Sequence, residues 1–182
     1  MAELGPVAWP PVPLRTDRLV LREPEARDRA AYVDLFSSPE VRTYLGGPRP
    51  RAELESSVPE VPGRRSGVFV VDHHGSMIGI VTLDRRDAGR PGHVSPGAGE
   101  AELSYMLLPE AWGHRYAVEA CSAALSWFAD AFPGEPVVLC TQVANDRSVR
   151  VAEKLGFSEM ERFEEFGAEQ WFGVWSSVPR SG

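Results

Sequence analysis

Cysteine is scarce in this 182-residue chain: Cys121 and Cys140 are the only two, with no spacing suited to a metal and no framework for disulfides. Both are expected to be reduced thiols in a cytoplasmic protein, and no metal is expected. Basic charge is in deficit as well. Nineteen Lys and Arg face 26 Asp and Glu, a net charge of −7, which argues against a nucleic-acid-binding surface and suits a small cationic partner. Long apolar runs are missing too. The uncharged stretch from Leu4 to Leu14 holds four prolines, whereas a membrane-spanning helix needs about 20 apolar residues and an export signal a basic start, so neither is expected. There is no internal repeat. What is present, 43% hydrophobic, 25% charged and 9% aromatic residues, is an ordinary globular composition at a length of about one domain.

The proline-rich start reads as an extended arm over residues 1–14, with Trp9 its one large anchor, ahead of a single domain over 15–178 and a short tail over 179–182. Leu19 and Leu21 alternating with Val20 and Arg22 predict a strand, and Glu25 to Phe36 a helix. Val68–Val71 and Met77–Leu83 predict a hairpin around Asp72–Ser76. Adjacent histidines diverge on an extended chain, so His73 and His74 read as turn residues and not as a metal pair. Arg85 to Gly99, with four glycines and two prolines, reads as a mobile connection. Tyr116 to Ala131 is the clearest helix: Ala117, Ala120, Cys121, Ala124, Phe128 and Ala131 recur every three or four residues, a stripe small enough to lie close against a sheet. A strand over Pro136–Val143, a helix over Asp146–Leu155 stopped by Gly156, and strands over Phe157–Phe166 and Gln170–Ser177 complete the order.

Two clusters carry chemistry. Pro109–Ala117 lies between the apolar run Leu103–Leu108 and the best helix, so it is a strand, a tight turn and a helix start. Free N–H groups at a helix N-terminus, reinforced by the helix dipole, favour an anion, and Gly113 lets backbone come close to a phosphate; an ordinary turn has the same pattern. In the second cluster, Asn145-Asp146-Arg147-Ser148, Asn145 reads equally as an N-cap, with Gly156 as the left-handed residue closing that helix.

Taken together these segments resemble the GNAT acetyltransferase superfamily. The likeness is carried by Glu102-Leu103-Ser104-Tyr105-Met106-Leu107-Leu108-Pro109-Glu110, Trp112-Gly113-His114-Arg115-Tyr116-Ala117, Asn145-Asp146-Arg147-Ser148 and Glu153-Lys154-Leu155-Gly156-Phe157, and covers roughly Leu14 to Val178. The opening Leu14–Arg22 is similar to the branch that includes ribosomal-protein N-terminal alanine acetyltransferases.

The resemblance implies an α/β (α+β) fold: a mixed, mostly antiparallel sheet splayed between strands four and five, with helices on both faces and the pantetheine arm of acetyl-coenzyme A in the gap. By position, backbone amides from Ala111 through Trp112, Gly113, His114, Arg115 and Tyr116 to Ala117 bind the pyrophosphate. Met106, Leu107 and Leu108 pair with the pantetheine and polarise the thioester, while Asn145 holds the pantetheine near its thiol. Two positions depart from the family. Glu110 and Arg115 stand at the first and last places of the turn motif, where Arg115 either crowds the phosphates or swings out and pairs with one. Ala152 stands where many members carry the tyrosine that reprotonates the leaving thiolate; Ser148 matches the serine of the ribosomal-protein branch and is the implied proton donor.

The acceptor amine must be neutral to attack. At pH 7 an ordinary lysine costs roughly 4.6 kcal/mol to deprotonate, an α-amine only about 1. Glu102, through a water, is the candidate base, with Glu100 second. Glu159, Glu161, Glu164, Glu165 and Glu169 either draw in a cationic amine or form a solvated face, and Trp171 and Trp175 read as core. The expected activity is acetyl-coenzyme A-dependent transfer to a primary amine, on a protein N-terminus or a small molecule, without a covalent intermediate. The expected partners exclude nucleic acid and membrane, and the protein is a monomer or homodimer. The alternative is a non-catalytic acyl-coenzyme A-binding or regulatory domain.

Overall fold

Alternating apolar side chains build the sheet in a computed structural model that describes residues 4–177. The start of the arm, the end of the expected domain at Val178 and the expected tail lie outside the described residues. In chain order the elements are β1 (Leu14–Arg15), β2 (Val20–Arg22), a 3-10 turn (Ala26–Asp28), α1 (Arg29–Ser37), α2 (Arg51–Ser57), β3 (Val68–His73), β4 (Ser76–Arg85) and β5 (Ala101–Leu107). A second 3-10 turn (Pro109–Ala111), α3 (Tyr116–Ala131), β6 (Val137–Gln142), α4 (Asp146–Leu155), β7 (Ser158–Glu165) and β8 (Ala168–Trp175) follow. They form one eight-stranded sheet ordered β1-β2-β3-β4-β5-β6-β8-β7, antiparallel except between β5 and β6.

Strand alternation sends Phe69, Val71, Val81, Leu83 and Leu103 to one face, where Ala120, Cys121, Ala124 and Phe128 of α3 cover them. Val70 and Ile80 point the other way and pack with Leu35 of α1. Helices therefore sit on both faces, and the small stripe of α3 is its buried side. The α3 and α4 boundaries match those expected, and Gly156 adopts φ 89°, closing α4 in the left-handed conformation. The expected splay between strands four and five falls between β5 and β6, because the two-residue β1 shifts the count by one.

The arm is docked. Leu4 is fully buried, and the Trp9 ring meets Phe69 and Trp127 edge-on at 5.0 and 5.6 Å. The expected divergence of the two histidines is corrected. His74 leaves the extended conformation at φ 53°, which brings its ring centroid 4.2 Å from that of His73. His73 Nε2 in turn lies 3.1 Å from the Tyr116 hydroxyl.

Candidate active site

The site is where the sheet comes apart. β5 and β6 pair only at Ala101 with Val137 and Glu102 with Val138; from Leu103 on, β5 stays with β4 while β6 follows β8. Leu103 to Leu107 thus line a slot without a strand partner on that side among the described residues.

Which backbone groups face the slot follows from the register. In an antiparallel pair the hydrogen-bonded positions alternate, and Arg86 N–H to Glu100 O and Leu108 N–H to Ile78 O, at 2.8 and 2.9 Å, fix the phase. Glu102, Ser104, Met106 and Leu108 therefore spend their backbone groups on β4. Leu103, Tyr105 and Leu107 turn theirs to the slot. Of the expected trio Met106, Leu107 and Leu108, only Leu107 presents its amide there, and its carbonyl accepts from Trp112 Nε1 at 2.8 Å.

At the end of the slot stands the start of α3. Its N-cap is Arg115, in the left-handed conformation at φ 64° and without a side-chain cap, so the first-turn amides of Tyr116, Ala117 and Val118 lack the usual oxygen partner. Gly113, at φ 83°, has open space where a Cβ would stand. His114, Arg115 and Glu110 are exposed, and the Arg115 side chain makes no hydrogen bond or ion pair among the described residues, while its carbonyl accepts from Glu119 N–H at 3.2 Å. The helix start is held from behind. Glu119 accepts from Thr16 Oγ1 at 2.6 Å and from Arg18 Nε and Nη2 at 2.8 and 2.6 Å, which holds its carboxyl below the usual range despite the opposing pull of partial burial.

Across the slot, Asn145 caps α4. Its Oδ1 accepts from Ser148 N–H at 3.3 Å, the expected capping contact, while its side-chain Nδ2 has no partner among the described residues. The Ser148 hydroxyl lies 3.2 Å from the Tyr105 hydroxyl. Ala152 is fully buried. Arg147 stacks over the Trp112 ring at 5.3 Å, joining the start of α4 to the turn before α3.

Glu102 points to the α1 side of β5. Arg86 Nη1 donates to its Oε1 at 2.8 Å and Arg90 Nη1 to its Oε2 at 3.3 Å; Arg90 also forks onto Glu165 at 3.0 and 2.8 Å. The stretch expected to be a mobile connection is thus tied down by buried Arg86, which also donates to the carbonyls of Pro91 and Gly92. Glu100 anchors the same loop. Burial pushes its carboxyl up, but hydrogen bonds from His93 and from the Val94 and Ser95 amides outweigh this and hold it at about 2. A carboxylate so stabilised has little basicity. A recess of about 150 Å³ opens beside Glu102, lined also by Asp84, Arg85, Asp87, Arg90 and Ser104. A larger surface hollow between α1 and the Pro48–Arg51 corner shares no residue with it.

Burial pushes both thiols up, so neither Cys121 nor Cys140 is a ready thiolate. Trp171 is core, as expected, and Trp175 packs against that core. Among the described residues no helix is long and apolar enough to cross a membrane. Arg86, Arg90, Tyr105 and Arg147 border the candidate site, and sequence reasoning gave them no part in it. Each acts through a partner far away in the chain, which no local spacing signals.

A sheet parted beside an uncapped helix start is the architecture of the GNAT acetyltransferases. The family model described as an acetyltransferase (GNAT) domain matches residues 18–158, and the chain belongs to that family. The uncharacterized protein YkkB of Bacillus subtilis (strain 168) is 30% identical over 150 residues, 79% of this chain and 83% of that protein. Among solved structures, an acetyltransferase (GNAT family) from Bacillus anthracis superposes with a TM-score of 0.73 at 20% identity, covering 91% of this chain and 98% of that one. The spermidine N-acetyltransferase from Vibrio cholerae, in complex with CoA and spermine, gives 0.68 at 20% identity over 88% and 96%. The aminoglycoside acetyltransferase AAC(6')-Ib, in complex with coenzyme A, gives 0.68 at 16% identity over 87% and 95%.

Proposed function

We propose that the protein is an acetyl-coenzyme A-dependent N-acetyltransferase whose acceptor, a primary amine, attacks the thioester directly while both substrates are bound. One observation carries the reading: the β5–β6 slot, edged by unpaired amides, opens beside the uncapped start of α3. That pairing fits a molecule with a diphosphate at one end and an amide-bearing arm at the other. The solved relatives named with coenzyme A or spermine support it by analogy.

The donor supplies an acetyl group activated as a thioester. The amides of Tyr116 to Val118 and the open Gly113 turn receive the diphosphate, with Arg115 and Arg147 as nearby cations. Tyr105 offers its backbone hydrogen bonds to the arm, and the Leu107 N–H polarises the thioester carbonyl. The Asn145 Nδ2 steadies the arm near the sulfur, and Ser148 gives the departing sulfur a proton. Glu102, through a water, takes the acceptor's proton. Its two oxygens accept from Arg86 and Arg90, which fix the carboxylate in place. An α-amine, closer to neutral at pH 7, asks less of that base than an ordinary lysine does.

Ala152 and the double pairing of Glu102 favour a second reading, a non-catalytic acyl-coenzyme A-binding or regulatory domain. Turnover separates the two. Acetyl-coenzyme A is incubated with an alanine-terminated peptide, spermidine or an aminoglycoside, and free thiol is measured. The proposal expects release with at least one amine and its loss in Ser148→Ala. Binding of acetyl-coenzyme A without release on any amine contradicts it and supports the second reading.

A further inference from the structure

The hydroxyls of Tyr105 and Ser148 meet at 3.2 Å, joining the free edge of β5 to the first turn of α4 across the slot. Tyr105 lies on the α3 side of its strand, half-buried against the main core. Ser148 directs its own N–H back to Asn145, so the phenol is the hydrogen-bond partner of its side chain among the described residues.

This contact bears on a weakness in any scheme that uses a serine as the acid. An aliphatic alcohol is a far weaker acid than a thiol, whose ordinary pKa is near 8.5, so an isolated serine gives up its proton to a thiolate only at great cost. The cost falls if a second proton reaches Oγ as the first departs. A phenol, ordinarily near 10, is the side chain suited to deliver it. Burial pushes Tyr105 up to about 12, so it holds its proton at neutral pH.

We infer that Tyr105 is a positioning residue for acetyl transfer: its O–H donates to Ser148 Oγ, turns the serine hydrogen toward the slot and replaces that hydrogen as it leaves. This rests on the acetyltransferase reading and on Ser148 as donor. As the acceptor nitrogen bonds to the acetyl carbon and the carbon–sulfur bond breaks, the sulfur takes the Ser148 proton and Ser148 Oγ takes the Tyr105 proton. The proton shed by the acceptor nitrogen, taken first by Glu102, passes on through water to the phenolate, so Glu102 and the hydroxyl pair end as they began. Ala152, where the resemblance led one to look for a tyrosine, leaves a phenol missing on α4; Tyr105 brings one from β5.

The test compares Tyr105→Phe, Ser148→Ala, the double variant and a protein with 3,5-difluorotyrosine at position 105, all in the full chain. Thiol release from acetyl-coenzyme A is read with spermidine or an alanine-terminated peptide, and with water as acceptor where neither amine is taken. Tyr105→Phe is expected to lose at least tenfold in kcat while the KM for acetyl-coenzyme A stays within twofold. The double variant should be no slower than Ser148→Ala alone. Difluorotyrosine, a stronger acid of nearly the same shape, should restore kcat and bring its alkaline fall to lower pH, which a merely structural ring does not do; it also carries the test if Tyr105→Phe fails to fold. A Tyr105→Phe protein at full kcat, multiplied losses in the double variant, or an unmoved alkaline fall overturns the inference. Ser148→Ala at full rate overturns the donor assignment and the inference with it, whereas an impaired Ser148→Ala beside an unaffected Tyr105→Phe overturns the inference alone.

Discussion

Arg86 Nη1 donates to Glu102 Oε1 at 2.8 Å from a side chain with 0% exposure, so the carboxylate beside the parting strands is held from inside the protein. Arg86 also supports the carbonyls of Pro91 and Gly92 and lies over the Phe172 ring at 5.2 Å. Arg86→Met should therefore cost about 3 kcal/mol, because it strands a half-buried carboxylate and two carbonyls. Urea unfolding measures this. A loss under 1 kcal/mol would mean that the loop has another anchor.

Arg115 sits at φ 64°, where a side chain is strained and glycine is not. Arg115→Gly should gain about 1 kcal/mol in unfolding free energy and at the same time bind acetyl-coenzyme A about threefold to tenfold more weakly, the worth of one exposed cation near a phosphate. Thermal melting and calorimetry read the two effects separately. Tighter binding in the glycine variant would show that the arginine crowds the turn.

Gly79 pairs with Leu107, and a Cβ there would stand 2.2 Å from the Met106 carbonyl oxygen and 2.6 Å from Leu107 Cδ2. Gly79→Ala should push β5 toward the slot, costing about 2 kcal/mol in stability and weakening acetyl-coenzyme A binding. If affinity is unchanged while stability falls, the slot tolerates the shift of its edge.

Glu100 gives a pH dependence with a definite sign. Its folded carboxyl, near 2, lies below the unfolded value near 4.3, so its contribution is present above pH 4.3 and lost as the pH falls toward 2. Glu100→Gln should cost about 2 kcal/mol at pH 7 and much less at pH 2, where about half of the wild-type group is protonated and most of its contribution is gone. Equal costs at both pH values would mean that the carboxylate charge is not what holds Val94 and Ser95.

Much of this architecture can be read in the chain because its signals are local. The small stripe from Ala117 to Ala131 is periodic, Asn145 and Gly156 bracket α4, and the Val68–Leu83 hairpin is two apolar runs around a glycine-containing turn. The outline of the candidate site is legible for the same reason: a glycine turn before a helix and an Asn-x-x-Ser step are contiguous motifs. The rest lies in relations between distant segments. Which β5 amides face the slot depends on the register with β4, and the partner of Ser148 stands 43 residues away. The Arg85–Gly99 stretch has loop composition because its anchors are long-range ion pairs, which leave no periodicity to read.

Hydrogen exchange with and without acetyl-coenzyme A, alongside calorimetry, tests the central claim most directly. Binding should release heat with micromolar affinity and slow exchange at the amides of Tyr105, Leu107 and Tyr116 to Val118, leaving those of the β7–β8 hairpin unchanged. No heat, or protection confined to residues outside the slot and the start of α3, would contradict it.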